Sequence, residues 1–558
     1  MTSFRNSLSV AVVGAAAVAC AVDLVPLGPE GQLALPTELE NRPVFRPPPV
    51  RGEGFVLIDG VRKLTIVTPR KNPSGLWALG GELKNHLEEM SGQTVDLVEP
   101  KNRPASGPVV VIGTDDGEVP QATSIVRWDG KDELYIGGEG AGVSHALTYV
   151  LEALGCRYLF PGKAGKVIPR KSRVVLPKIE LEHTPVCRLR KVRLPSVSNV
   201  REDLLALGID PDAFATAKSE ASQDNPSNRS FWVWHGVNDW KTVGTVNPPF
   251  EEIVTAGHHF GEYWTTYGEE HPDWFALQGD DTRTQTNSRP RLCTSNRELR
   301  MNIVDECLGR FEKTPKMQGI SICMQDGGYV SACLCEDCRR LDPPNAPPVS
   351  MTLYRPTRRT VSYVSLADRM LDFSNFVMRE VRARLPGKNL CVYAYSNYVS
   401  PPVLNRPDPD LIIFNVYGGY TTEKNREGLR RNLAGWLSFG NPVVWRPNCL
   451  AGFECPYPMN FGRLVFNDLE ALKANGAIGV DFDCGNAEYA SRGFMFYMLA
   501  KAIHNPDRLD YDTIAADWLA CGFGAAAGPV GDYLKALERT FDAATRRGIG
   551  VRGYQEAF

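Results

Sequence analysis

Three aspartates that follow or interrupt short apolar runs are the residues of this chain best suited to acid–base chemistry. Asp326 comes two residues after the apolar run Ile320–Met324, and two glycines follow it. Asp481 and Asp483 alternate with apolar residues in the segment Val-Asp-Phe-Asp. Two carboxylates beside a glycosidic bond are the catalytic groups of most glycoside hydrolases. We therefore assign all three as candidate catalytic acids, although Asp326 could form an Asp-Gly turn and an inward acid can be structural.

Polar and aromatic side chains at the ends of other apolar segments could bind a substrate beside these acids. Aromatic faces suit sugar rings, and histidine can hydrogen-bond to a substrate. The candidate substrate-binding residues are Trp234, His235, His258, His259, Tyr395, Asn397, Tyr417 and Arg446. The adjacent histidines could also be a packed structural pair, and they lack a third ligand at zinc spacing. With neither a Ser-His-Asp set nor a His-Glu-x-x-His helix evident, we assign no metal ligand and no cofactor.

A cysteine triplet follows the Asp326 segment and has two interpretations. Cys333, Cys335 and Cys338 could close a structural zinc site if Cys293 or Cys323 supplied a fourth thiolate. In an exported protein, one disulfide with one remaining thiol is an equal alternative. The spacing leaves both open.

The elements that must position these residues alternate in a pattern typical of an α/β barrel. Helical patterns separate the predicted strands, and the clearest of them has an apolar face from residue 366 to 381. Short strands alternating with helices predict a parallel sheet. We predict a (β/α)8 TIM-type barrel over residues 181–505, with one strand missed and the working groups at the C-terminal strand ends. An open doubly wound sheet is the alternative, but the Gly-rich phosphate turn that would favour it is absent. The predicted strands are Cys187–Val192, Phe231–His235, Ile320–Met324, Leu390–Tyr395, Leu411–Val416, Pro442–Arg446 and Ile478–Phe482.

A small mixed α/β domain is predicted before the barrel, over residues 51–180. Strand-like stretches around Asp59-Gly60 indicate a hairpin. Two apolar helical faces end at Gly92 and Gly155. A helical segment is predicted after the barrel, over residues 506–558.

The N-terminus and the bulk composition limit where the protein acts and what it binds. Residues 1–21 have a basic start, an apolar stretch and a small-x-small cleavage site, which predict a signal peptide and export. Residues 22–50 read as a Pro-rich linker. A net charge of -3 argues against a nucleic-acid partner, and no other stretch approaches the ~20 apolar residues of a membrane span.

Several motifs resemble the family of the domain of unknown function DUF4838. They are Ala256–Phe260 (Ala-Gly-His-His-Phe), His271–Leu277, Leu292–Asn296 and Gln325–Gly328 with the cysteine triplet. That family overlaps glycoside hydrolase family 163, which includes endo-β-N-acetylglucosaminidases. The segments 134–138, 142–162 and 167–169 resemble the small domain that precedes the barrel in hexosaminidases and α-glucuronidases.

The resemblance implies an exported carbohydrate-active enzyme with a glycan or oligosaccharide as substrate. Enzymes that use the acetamido oxygen of their own substrate carry a polarising acid near the acid/base, but Asp326 is followed by glycine. A partner acid would have to come from another strand, as Asp481 or Asp483. In that arrangement the sugar subsites are lined by Trp234, His259, Tyr395 and Tyr417.

We therefore expect a glycoside hydrolase, with β-linked N-acetylglucosamine as the candidate target. A non-catalytic carbohydrate-binding or surface protein on the same scaffold is one alternative. An α-glucuronidase-like hydrolase, with Arg446 binding the uronate carboxylate, is another.

Overall fold

The structure, a computed structural model, describes two large sheets with their helices and many of the connecting loops. The described residues are 27–28, 31–32, 54–71, 75–115, 119–120, 122–193, 226–237, 254–285, 289–326, 332–344, 348–353, 359–417, 420, 422–449, 459–483, 489–506 and 508–548. The predicted signal peptide, nearly all of the Pro-rich linker and the two glycines after Asp326 lie outside these residues.

The elements alternate between strands and helices along most of the chain. The N-terminal part contains β1 (Leu27–Gly28), β2 (Gly31–Gln32), β3 (Phe55–Ile58), β4 (Thr65–Val67), α1 (Leu76–Ser91), β5 (Asp96–Val98), β6 (Val109–Ile112), β7 (Ser124–Trp128), β8 (Glu133–Gly138), α2 (Gly142–Ala153), β9 (Arg157–Tyr158), β10 (Lys166–Val167), β11 (Val174–Leu176) and β12 (Leu181–His183). The C-terminal part contains β13 (Leu189–Val192), α3 (Pro226–Trp234), α4 (Tyr263–Tyr267), α5 (Arg297–Lys313), β14 (Gly319–Ser321), α6 (Glu336–Arg339), β15 (Pro348–Leu353), β16 (Arg359–Val364), α7 (Ala367–Arg384), β17 (Asn389–Tyr395), β18 (Leu411–Val416), α8 (Glu423–Leu437), β19 (Val443–Trp445), α9 (Gly462–Ala474), β20 (Gly479–Phe482), α10 (Tyr489–His504), α11 (Tyr511–Phe523) and α12 (Ala527–Arg546).

The first sheet is mixed, with the spatial order β12-β7-β8-β6-β4-β5. The hairpin predicted at Asp59-Gly60 is wrong, because β3 pairs with β11 whereas β4 pairs with β5 and β6. The Asp59 carboxylate accepts hydrogen bonds from the amides of Val61 and Arg62, which makes a local turn without pairing the flanking strands. β12, which lies in residues predicted to start the barrel, pairs with β7 and so belongs to the first sheet.

The second sheet is parallel throughout, with the order β13-β20-β19-β18-β17-β14. Parallel bridges from Val254 to Gly319 and from His258 to Cys323 add the segment 254–258 beyond β14. The strand order therefore follows the chain in one direction, and the last strand lies beside the first. A doubly wound sheet reverses its order in the middle. This curled half-barrel favours the barrel prediction over that alternative.

One predicted barrel strand, Phe231–His235, is wrong. Its first four residues end α3, and His235 lies in the turn that follows. Phe231, Trp232 and Trp234 are all buried. A short, fully apolar run has no readable period, so its pattern does not distinguish a buried strand from a buried helix.

Side chains alternate between the two faces of each curled strand, and this alternation decides which ones reach the interior. One buried cluster contains Cys391 and Tyr393 from β17 together with Ile412, Phe414 and Val416 from β18. Odd-numbered residues of β17 and even-numbered residues of β18 therefore face inward. Their neighbours on the opposite face pack against the surrounding helices.

The two sheets are joined by charged pairs as well as by apolar packing. Arg157 contacts the Asp517 carboxylate twice, from Nε at 2.8 Å and from Nη2 at 2.9 Å. Lys501 pairs with Glu152 at the same interface. None of the helices in the described part of the chain is both long and apolar enough to cross a bilayer.

Candidate active site

Asp326 lies just beyond the carboxyl end of β14, where its carboxylate meets two donors. The Tyr395 hydroxyl donates to Oδ1 at 2.8 Å, and Arg289 Nη1 lies 2.8 Å from Oδ2. Arg291 holds the backbone here, since its guanidinium donates to the carbonyls of Gln325 at 2.7 Å and of Asp326 at 2.6 Å. The Asp326 side chain is 33% exposed. A held carboxylate that solvent can reach is available to a substrate.

An aromatic wall continues from Asp326 along the same edge of the sheet. The His258 ring lies 5.3 Å from the Tyr393 ring and 5.9 Å from the Tyr395 ring. Burial raises the pKa of Tyr395, and the nearby Asp326 carboxylate raises it further. Burial likewise raises the pKa of Tyr393. Both tyrosines therefore stay protonated at neutral pH, so that Tyr395 remains a donor.

His258 has a defined tautomer at this wall. Its Nδ1 lies 2.6 Å from the Met324 carbonyl oxygen, which can only accept, so we assign the proton to Nδ1. Desolvation lowers the pKa of His258, while the Met324 carbonyl and the Asp326 carboxylate act in the opposite direction. At neutral pH the ring is thus uncharged, and Nε2 can accept a hydrogen bond.

We expect Asp326→Asn to lower the pKa of His258 still further, because the variant removes a negative charge that favours the imidazolium. NMR titration of the His258 ring measures this shift. The wild-type value should already lie below the ordinary 6.5. Asp337→Asn removes a more exposed aspartate and should leave the titration unchanged. An upward shift in Asp326→Asn would contradict the geometry described above.

The other two candidate acids belong to an arginine-rich cluster at the ends of β19 and β20. Asp481 is bound by Arg193 through two contacts, Nε to Oδ1 at 3.2 Å and Nη2 to Oδ2 at 3.1 Å. Arg446 lies 3.5 Å from Asp481 and 3.3 Å from Asp483. The Asp481 side chain is 2% exposed, whereas that of Asp483 is 36% exposed. Burial argues against direct contact between Asp481 and a substrate, and leaves Asp483 as the accessible second acid.

The cluster and the aromatic wall are in contact with each other. Arg446 Cζ lies 5.1 Å from the centre of the Tyr393 ring, and the rings of Tyr393 and Tyr395 are 6.3 Å apart. The Arg446 side chain is only 7% exposed and faces two carboxylates. Its predicted role as a ligand for a uronate is therefore not supported by its surroundings. Its guanidinium contacts the carboxylates of Asp481 and Asp483 instead.

Of two further predicted substrate ligands at the ends of the central strands, Tyr417 points away from these residues and Asn397 lines a pocket beside them. Tyr417 follows β18 and lies on its outward face, where its hydroxyl lies against Gly428 of α8. Asn397 is buried in the 3-10 turn after β17 and lines a pocket with Gln325 and Arg291, which adjoin Asp326. Strand alternation sends Tyr417 outward, because it follows β18 in step with the outward-facing odd-numbered residues.

His259 also faces outward, in contrast to its neighbour. Its Nε2 lies 2.5 Å from Glu306 Oε1 on α5 and 3.3 Å from Arg310 Nη1. Consecutive residues of an extended segment point to opposite sides. The histidine pair is thus divided, with His258 at the site and His259 packed against a helix.

Trp234 and His235 lie at the interface with the N-terminal unit instead of at a strand end. Trp234 Nε1 donates to Glu152 Oε1 at 3.0 Å, and His235 Nε2 lies 2.9 Å from the Tyr158 carbonyl oxygen. Burial lowers the pKa of His235 to about 3. Their predicted role in sugar binding followed from the incorrect strand, and their contacts here are structural.

Four residues of the site were missed from the sequence. Arg193 directly follows β13 and lies on the same face of that strand as the inward-facing Leu189. Tyr393 and Tyr395 likewise lie on the same face of β17. Strand alternation could have identified both of them. Arg289 and Arg291 come from a loop before α5, and nothing in their local sequence indicates that they reach Asp326.

Comparisons with known proteins identify a family and several structures of related shape. No curated protein matches the chain. The chitobiase FjGH20 of Flavobacterium johnsoniae is 13% identical, with a TM-score of 0.45, and the match covers 88% of this chain and 73% of that one. A GH138 enzyme targeting pectin rhamnogalacturonan II is 10% identical, with a TM-score of 0.47 and coverage of 87% of this chain and 56% of that one.

A third solved structure is CpGH89 from Clostridium perfringens, in complex with its substrate GlcNAc-alpha-1,4-galactose. It is 10% identical, with a TM-score of 0.40, and the match covers 80% of this chain and 50% of that one. These neighbours are glycoside hydrolases, but at such low identities their substrates are not assigned to this protein. The relation to glycoside hydrolase family 163 stays a prediction.

The sequence model of DUF4838, a domain of unknown function, matches residues 160–535. Because this match spans more than half of the chain, the protein belongs to the DUF4838 family.

Proposed function

We propose that this protein is a glycoside hydrolase that cleaves a glycan at the carboxyl edge of the curled sheet, with Asp326 as a catalytic carboxylate. The observation that carries the proposal is the position of Asp326. It is a partly exposed carboxylate at the end of a parallel strand, held by Tyr395 and Arg289. A chain of contacts through the buried Tyr393 and Arg446 connects it to the partly exposed Asp483. Two accessible acids beside aromatic rings are the groups that glycoside hydrolysis requires.

The roles of the two acids follow from their partners. Each Asp326 oxygen already meets one donor, which suits a carboxylate that orients or activates a nucleophile. In a substrate-assisted reaction this nucleophile is the acetamido oxygen of the sugar. Asp483, with an Arg446 contact at 3.3 Å, is the candidate for the opposing acid. We assign Asp481 as a positioning residue that holds Arg193 and Arg446 in place.

The neutral His258 and the Tyr395 hydroxyl are the proposed substrate-positioning groups. Nε2 of His258 would accept a hydrogen bond from a sugar hydroxyl, and the tyrosine would keep the Asp326 carboxylate aligned. The faces of the aromatic rings suit a pyranose ring. Arg289, which is 55% exposed, could contact a further polar group of the glycan. We infer β-linked N-acetylglucosamine as the target.

We also infer that the second sheet closes as a complete (β/α)8 barrel and that the protein is exported. The strand order, the contact of β20 with β13 and the bridges of the segment 254–258 to β14 support closure. Support for export comes from the signal-like sequence of residues 1–21. Cleavage near residue 21 would be visible in the intact mass of secreted protein.

A non-catalytic carbohydrate-binding protein is the second candidate. One observation favours it: Asp483 is paired with Arg446, and Asp481 is buried between two arginines, so neither is an isolated acid. The same edge of the sheet would then bind a glycan without cleaving it.

Digestion of a glycan array, followed by mass spectrometry of the products, separates the two candidates. The hydrolase proposal expects release of a defined oligosaccharide from at least one class of glycan, with N-acetylglucosamine at the cleaved end. Uronate-bearing glycans belong in the same array. Binding of glycans without any product, at enzyme concentrations sufficient for complete digestion, would support the binding protein and reject the hydrolase.

A further inference from the structure

Four cysteines from two separate chain segments converge on one point beside the Asp326 loop. Cys293 comes from the segment before α5, and Cys333, Cys335 and Cys338 come from the segment around α6. Their four Sγ atoms all lie within 4.8 Å of one another. We propose that these four cysteines hold one zinc ion in a structural site. The proposal does not depend on the hydrolase activity.

The distances between the sulfur atoms favour a metal over a disulfide. Cys293 Sγ lies 3.7 Å from Cys335 Sγ and 3.8 Å from Cys338 Sγ. A tetrahedral zinc site with Zn–S bonds of about 2.3 Å has S–S edges of about 3.8 Å. A disulfide needs about 2.05 Å between its sulfurs. The two measured separations therefore match the edges of a zinc tetrahedron.

The surroundings supply the burial and the donors that a thiolate cluster needs. Cys293, Cys333 and Cys338 are 4%, 3% and 0% exposed, within a small apolar cluster of their own. The amide of Leu277 donates to Cys333 Sγ at 3.3 Å, and the Ser295 hydroxyl lies 3.1 Å from Cys338 Sγ. Such hydrogen bonds to ligand sulfurs stabilise the excess negative charge of a zinc–tetrathiolate centre.

A positive side chain lies beside the same cluster. Arg283 Nη1 donates to the Phe275 carbonyl at 2.5 Å, and negative charge on Cys293, Cys333 and Cys335 would raise the pKa of this guanidinium. When four thiols bind one Zn²⁺, each S–H gives its proton to solvent and the centre carries two net negative charges, which Arg283 partly offsets. The step involves no oxidant or reductant. Four protein ligands leave no open position, so the site is structural and not catalytic.

The fourth ligand is Cys293, and the alternative Cys323 lies elsewhere. Cys323 Sγ lies 3.5 Å from the Cys391 carbonyl inside the curled sheet. Cys293 instead follows Arg291 by two residues, and Arg291 holds the carbonyls of Gln325 and Asp326. The metal would therefore tie together the two segments that flank Asp326, which gives the site a positioning role.

The test is the metal content of the full-length protein, purified without chelators from medium that contains both zinc and iron. Elemental analysis should find one zinc per chain. Cys335→Ser should remove most of it, because three thiolates bind zinc far more weakly than four. Cys521→Ser is the matched control, since Cys521 is also half-buried but lies outside the cluster, and it should retain the full zinc content.

Further measurements keep the proposal testable if the Cys335 variant does not fold. Alkylation of the denatured wild-type protein, with chelator and without reductant, should label all four cysteines, and peptide mapping identifies them. A disulfide between any two of these four residues would overturn the proposal, as would a protein without metal after reconstitution with zinc. One iron per chain in place of zinc would overturn the identity of the metal, because a tetrahedral set of four sulfurs accepts either ion.

Discussion

Asp326→Asn should lower kcat/KM on any glycan that the wild-type protein cleaves by ~10²-fold or more, with little effect on stability. The loss follows because an amide can neither transfer a proton nor carry the charge that orients or activates a nucleophile. Asparagine has almost the same shape, and its oxygen can still accept from Tyr395. The lost ion pair involves Arg289, which is more than half exposed, so the free energy of unfolding should fall by less than about 1 kcal/mol.

The control for this variant is Asp337→Asn on α6. Asp337 also pairs with an arginine, Arg340, but both side chains are more than 60% exposed. It should therefore retain wild-type kcat/KM. The amount of product formed over time under single-turnover conditions gives the rate of cleavage. Thermal unfolding gives the stability. Full turnover in Asp326→Asn on every cleaved glycan would remove Asp326 from the mechanism.

Arg446→Met should destabilise the protein by about 3 kcal/mol and also abolish activity. The Asp481 side chain is 2% exposed and contacts both Arg446 and Arg193, so the substitution leaves it with Arg193 alone. The substitution also removes the arginine that contacts Asp483. Removing one member of a buried charge pair costs about 3–5 kcal/mol when the remaining charge loses its compensation, and the lower end applies here because Arg193 still contacts Asp481. Chemical denaturation measures the change in the free energy of unfolding.

A second arginine provides a matched comparison for this effect. Arg463 also contacts two carboxylates, Asp512 and Glu538, and it stacks on the Tyr511 ring, but its side chain is 38% exposed. Arg463→Met should therefore cost only about 1 kcal/mol. The double variant Arg446→Met/Asp481→Asn should recover part of the lost stability but no activity. If the two single arginine variants lose the same free energy of unfolding, burial of the Asp481 cluster does not explain the contribution of Arg446 to stability.

The amino-acid sequence predicted the parallel strands closely wherever helices separated them. The predicted strands Leu390–Tyr395 and Leu411–Val416 correspond to β17 and β18, and the helix predicted before them is α7. Local patterns also located the ends of helices, as at Gly92, whose φ of 73° favours glycine. Such features depend on a few neighbouring residues, so local sequence contains the information. Phe231–His235 failed because a short apolar run is compatible with either a strand or a helix.

Which strand-end residues meet at the site was decided by tertiary structure. From the sequence alone Asp326, Tyr395 and Arg446 could be chosen as functional candidates, because residue type and position after an apolar run are local properties. The arginines that bind two of the candidate acids, Arg289 at Asp326 and Arg193 at Asp481, come from other parts of the chain. The direction of each side chain depends on the face of the strand on which its residue lies. The pairing of charges depends on which strands become neighbours. Both are set when the sheet curls, and no local pattern encodes them.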